Sequence, residues 1–157
     1  EAIGIYEVVF DNTNKKDEKY YNNTNQTFAF ADGVVTASYG SATANALADV
    51  NATDEDGVEL DPVVVIKGLK TKHKEIIKQQ ASGLLTNYDW YVIRKADAGT
   101  AVPSAVTTYR AAVRTKSNEM EVLIDACSTV DELAALYAYN DDNPPTRPLG
   151  EFPTLEI

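Results

Sequence analysis

The sequence predicts an α+β fold: a β-rich N-terminal region with a hairpin, then a helical hairpin plus a short third helix, then an extended Pro-rich tail. Three observations predict it. Apolar residues alternate or run β-branched up to Ile66, then recur at helical spacing from Lys67. Asp32-Gly33 joins two alternating runs, which is the turn chemistry of a tight hairpin. Residues 140–157 hold four prolines and show no apolar period. The regions on this reading are 1–66, 67–139 and 140–157.

Ile3 to Phe10 is β-branched and aromatic, and stops at Asp11-Asn12-Thr13-Asn14, so it reads as a strand. Lys15 to Gln26 is polar and Asn-rich, a long loop or hairpin tip with Tyr20 and Tyr21 as its candidate anchors. Thr27 to Ala31 and Val34 to Tyr39 are the arms of the Asp-Gly hairpin. Ser41 to Val50 is Ala-rich, a short helix or a loop, and residues 51–61 form an acidic turn region. Pro62 to Ile66 reads as a buried strand, with the proline at its start where a missing N–H is tolerated.

From Lys67 the period becomes helical. Leu69, His73, Ile76, Ile77, Gln80 and Leu84 share one face, while Lys67, Lys70, Lys74 and Lys78 share another. Asn87 ends this helix. Tyr88 to Lys95 reads as a short extended segment, and residues 96–100 as a loop. Ser104 is the expected N-cap of a helix over 105–127. Its seam is Val106, Tyr109, Val113, Met120, Leu123 and Cys127, with Lys116 in one slot, close to a 3.5-residue repeat. Thr129 and Glu132 form a capping box that starts a last helix through Leu133, Leu136 and Tyr137. The tail after Asn140 is expected to lie extended on a surface, so that its removal spares the fold.

The chain has 157 residues, one Cys and one His. That length builds a core without covalent staples. A single Cys excludes an intrachain disulfide, a multi-Cys zinc site and a CxxC redox pair. No apolar run is long enough to span a bilayer, and no basic-apolar secretory signal opens the chain. The chain begins at Glu1 without a Met, which fits a processed end. The net charge of −10 argues against non-specific nucleic-acid binding. The charge is also zoned: net −9 over residues 1–66, +7 over 67–116 and −8 over 117–157. Solvated faces that happen to segregate give such zones; they also suit pairing within the chain, self-association, or an acidic partner.

Chemistry finds little footing. The acidic stretch from Asp49 to Asp61 suggests calcium, but from Asp49 an EF-hand register puts Asp54 where glycine is required and Leu60 where the bidentate Glu belongs. His73 sits on an apolar helix face without a triad. Cys127 sits on a seam, and nearby acids disfavour its thiolate. Neither GxGxxG nor GxxxxGK[ST] occurs. The expectation is no enzyme, no cofactor and no metal. The lysine stripe is expected to pair with the acidic C-terminal helices rather than with phosphates. Tyr88, Trp90, Tyr91 and Arg94 are the residue types of interface hot spots. Trp90 also suits a plug between the helices, and both roles stay open at this point.

Four elements stand in order along the chain: Ser82-Gly83-Leu84-Leu85, Tyr88-Asp89-Trp90, Val102-Pro103, and Tyr109-Arg110-Ala111-Ala112-Val113-Arg114. On these, the stretch from Lys72 to about Leu136 resembles the helical domain of phage tail fibre assembly chaperones and related phage tail proteins. Val113 stands where the family usually has leucine. The resemblance implies a helical hairpin with Trp90 in its angle, and Arg110 and Arg114 one turn apart to hold carboxylates on a neighbour. It implies other phage tail or fibre proteins as partners, and a place in the virion tail after assembly in the host cytoplasm. The expected function is a virion structural protein, a fibre- or baseplate-associated adaptor; the alternative is a tail fibre assembly chaperone that leaves before the virion is complete.

Overall fold

The computed structural model describes residues 4–24 and 26–155. Strands precede helices, and the fold is α+β. The chain divides into two compact units, Glu1–Ala46 and Leu47–Ile157.

The first unit holds β1 (Glu7–Asp11), β2 (Tyr21–Asn22), β3 (Thr27–Ala31), β4 (Val34–Ser38) and β5 (Thr43–Ala44). Asp32 and Gly33 both take positive φ, 51° and 79°, so the β3–β4 turn is type I′, as Asp-Gly dictates. β1 joins the far side of β4 in parallel, giving the order β1-β4-β3. β1 starts later than the sequence suggests, and Ile3 lies outside the described residues. Asp11 ends it by accepting from the Thr13 N–H at 3.0 Å and the Thr13 hydroxyl at 2.6 Å. The 15–26 loop is anchored as expected: Tyr20 is buried, and the Lys16 ammonium lies over the Tyr21 ring.

The second unit opens with a ribbon of β6 (Val50–Asn51) and β7 (Val65–Ile66), antiparallel. Only these two residues of the Pro62–Ile66 run are strand, and Val63 to Ile66 are exposed rather than buried. A β-branched run favours extended backbone, but burial needs a covering layer, and this ribbon has two strands. Four helices follow: α1 (Leu69–Thr86), α2 (Asp89–Ala98), α3 (Ser104–Ala126) and α4 (Val130–Ala135). The chain enters α1 closely. Leu47 O accepts from the Lys70 N–H at 3.0 Å, and a Cβ on Gly68 would collide with the Ala48 carbonyl.

α1 and α3 pack antiparallel, clasped by three lysines. Lys74 meets Asp125 at 2.7 Å, Lys78 meets Glu121 at 3.2 Å, and Lys70 donates to the Asp125 carbonyl at 2.8 Å. Three of the four stripe lysines thus pair with the acidic end of α3, as the charge pattern suggests, while Lys67 pairs with Glu75 of α1. Beneath it lie Leu69, Ile77 and Ala81 of α1, with Val106, Tyr109, Val113, Ser117, Met120 and Ile124 of α3. Ile76 is exposed, against expectation. The α3 seam also departs from the 3.5-residue reading. Ser117 and Ile124 are buried where Lys116 and Leu123 were expected. Val113, Met120 and Cys127 keep their expected seven-residue spacing, and only the slots between them move by one residue. Positions three and four residues along a helix flank the same face, and here the fourth is the one covered.

Other ends differ too. Ser104 is the first helical residue of α3 and Pro103 is its N-cap. The capping box is as expected: Glu132 N–H donates to Thr129 Oγ1 at 3.1 Å, and Glu132 Oε2 accepts from the Thr129 N–H at 3.3 Å. The tail is not a surface strap. Leu149 is completely buried and its N–H donates to Leu136 O at 3.0 Å. Phe152 and Leu155 then pack on the Ala81–Tyr109–Val113 cluster. Glu156 and Ile157 lie outside the described residues.

Candidate protein-docking site

The segment read as extended is helix α2. Asp89 in its first turn complements the helix dipole, and Gly99 ends it in the left-handed region at φ 67°, its N–H donating to Lys95 O. The local run Trp90 to Ile93 favours strand, but it has no strand partner, and tertiary contacts fix the helix start. Arg110 is the main one. Its side chain is 12% exposed, and the guanidinium reaches Asp89 at 2.8 Å and the Leu85 carbonyl at 2.7 Å. Tyr88, just before α2, sets its ring edge-on to Tyr109 with centroids 5.4 Å apart. Burial, and secondarily Tyr88, pushes the Tyr109 phenol pKa up.

α2 itself contributes no buried residue. Trp90 and Tyr91 stack with centroids 3.7 Å apart and planes 29° from parallel. The Arg94 guanidinium lies 4.8 Å from the Trp90 centroid and 5.4 Å from that of Tyr91. Trp90 is 49% exposed, so it is not the plug between the helices; Tyr88 and Tyr109 occupy the core there. Ile93 is 67% exposed and sits one helical turn from Trp90. Sequence reasoning missed Ile93, because its place beside Trp90 exists only at helical spacing.

The six expected site residues therefore separate. Trp90, Tyr91 and Arg94 form one cluster, with Trp90 and Arg94 exposed and Tyr91 half-buried. Tyr88 and Arg110 serve the core. Arg114 is exposed and stands in an open groove of about 500 Å³ between α1 and α3, with Lys78 and Glu121.

The remaining chemistry-bearing residues are engaged locally. Asp49 accepts from the Gly68 N–H at 2.8 Å. Hydrogen bonds from Thr71 and then Gly68 hold its carboxyl below the ordinary 3.8. Asp54 accepts from the Asp56 and Val58 N–H groups at 3.0 and 2.9 Å. Asp54 thus closes a turn, and Asp49 ties down the residue that precedes α1. Cys127 is buried, and burial first, then Glu132, raises its thiol pKa. His73 packs against Tyr137 with ring centroids 4.8 Å apart. Among the described residues, no group of three or more His, Cys, Asp or Glu is placed to hold a metal, and no helix is long and apolar enough to cross a membrane.

Comparison of the chain with known protein families, curated proteins and solved structures finds no significant match.

Proposed function

We propose that the chain is a structural protein of a bacteriophage tail, a fibre- or baseplate-associated adaptor that docks on other tail or fibre proteins without catalysis or a cofactor. The stacked Trp90–Tyr91–Arg94 cluster, exposed at Trp90 and Arg94, carries the docking part of this reading. Trp, Tyr and Arg dominate interface hot spots because they bury large area with few rotors. Stacking fixes all three side chains before a partner arrives, which lowers the ordering cost of binding. Ile93 adds apolar area beside them. The tail context is supported by the resemblance of residues 72–136 to tail fibre chaperones and related tail proteins.

Quantitative mass spectrometry of purified phage particles and of the infected-cell lysate tests it. The expected result is a fixed copy number per particle. Abundance in the lysate with absence from particles makes the chain an assembly chaperone instead. Absence from both discards the phage reading.

A further inference from the structure

The β1-β4-β3 sheet has two unlike faces. Register partners point the same way, so the pairs Val8↔Val35, Phe10↔Ala37, Phe28↔Ala37 and Phe30↔Val35 place six apolar side chains on one face. Tyr6 extends it, its ring 4.6 Å from that of Phe30. No residue of this face is charged. The opposite face carries Glu7, Asp11, Thr27, Thr36 and Ser38, with Val9, Val34, Ala29 and Ala31 between them. This is the pattern of a sheet built to be covered on one side. Yet Phe10, Phe28 and Phe30 are 60%, 67% and 59% exposed, and Tyr6 and Val8 are 51% and 44% exposed. Ala37, flanked in register by Phe10 and Phe28, is the one residue of the face fully shielded.

We propose that this face packs against the same face of a second copy, forming a two-layer β-sandwich across a twofold axis. The area fits. Aromatic residues of about 200 Å² each, at these exposures, leave on the order of 500 Å² of mainly apolar surface per chain. That is at the upper end of what monomers leave exposed, and two copies together offer about 1,000 Å², where specific interfaces begin. The charge fits as well. An uncharged face meets its copy with no like-charge contact and no buried ion to compensate, whereas it offers a charged partner nothing to pair with. Sheets stacked about 10 Å apart interdigitate such side chains, and a twofold axis needs only one self-complementary patch. The proposal is independent of the α2 docking reading, since it uses other residues and fails on another measurement.

Analytical ultracentrifugation of the full chain over about two decades of concentration tests it. The wild type is expected to show a monomer–dimer equilibrium that tightens as salt rises, because salt screens the repulsion between chains of net charge −10 and strengthens apolar burial. Phe28→Lys and Phe10→Lys, on opposite edge strands and both exposed in the single chain, should each weaken the dimer at least about tenfold. Ala29→Lys lies on the same strand as Phe28 but faces the other way, and should change the dimer Kd less than about twofold. Retained amide dispersion at Gly33 verifies the hairpin, and Val8→Lys replaces any variant that loses it. A wild type that stays monomeric overturns the proposal. So does a dimer that weakens with salt, which would be pairing of the basic and acidic zones. A dimer indifferent to Phe10→Lys, or as sensitive to Ala29→Lys, means another surface associates.

Discussion

Trp90 and Arg110 carry comparable weight in the sequence and are used in opposite ways. Trp90 is half exposed on a helix that buries nothing, so its truncation removes little packing. Arg110 ties the start of α2 to the end of α1 through Asp89 and the Leu85 carbonyl. Trp90→Ala is therefore expected to cost under about 1 kcal/mol, well short of the 3–5 typical of a core aromatic. Arg110→Ala should cost about 1.5–3 kcal/mol, the range for hydrogen bonds to charged groups. Paired urea melts decide this. A cost of several kcal/mol for Trp90→Ala would put the indole in the core and remove it from the docking surface. The residue types marked this region as special. Which of them faces outward was not legible, because that depends on whether residues 89–98 are strand or helix. The β-favouring run Trp90 to Ile93 points one way, and the helix-forming run Arg94 to Ala98, with its Gly99 cap, points the other.

Among the elements, those set by short-range chemistry were legible and those set by a distant partner were not. The Asp32-Gly33 hairpin and the Thr129–Glu132 capping box follow from turn and cap chemistry alone. The seven-residue spacing of the α3 seam was legible, but whether the third or the fourth residue after each seam position is covered depends on what packs against it. The start of α1 shows the other case. Its first turn has no acid and its N-cap is a glycine, so nothing local compensates the exposed N–H groups. Asp49, nineteen residues earlier, supplies the carboxylate. Because its folded pKa lies below 3.8, its stabilisation is fully present above that pH and is lost as pH falls through the lower folded value. Asp49→Asn keeps an acceptor and removes the charge. The variant should melt below wild type at neutral pH, and the gap should close as the pH drops under 3.8. A gap that persists in acid would assign the effect to hydrogen-bond geometry rather than charge.

At the scale of the whole molecule, the charge zones and the tail describe how the helical unit closes. The basic stretch runs from α1 into the first half of α3 and the acidic stretch begins in its second half, so the antiparallel pairing of these helices converts separation in sequence into the Lys74–Asp125 and Lys78–Glu121 pairs. These pairs, each with one partner open to solvent, set register more than they add stability. The apolar closure comes from the tail. Its prolines and lack of period suggest a dispensable strap, because three anchors spaced by loop residues leave no periodic signal. Leu149 nevertheless fills a fully buried position beside α4, and Phe152 and Leu155 cover the Ala81–Tyr109–Val113 cluster. Tyr139 and Arg147 both bind the Glu151 carboxylate, at 2.7 Å each, and hold the return path between these anchors. Leu149→Ala should then cost about 2–5 kcal/mol, as for other buried leucines. For a chain of this size that corresponds to a Tm lower by roughly 5–15 °C. Deleting residues 141–157 removes all three anchors, so its effect should exceed that of Leu149→Ala and broaden the transition of the helical unit. Differential scanning calorimetry of the two variants separates the readings. If the deletion melts like the intact chain, the helices close without the tail. If it melts below Leu149→Ala, the last residues complete the core that α1 and α3 begin.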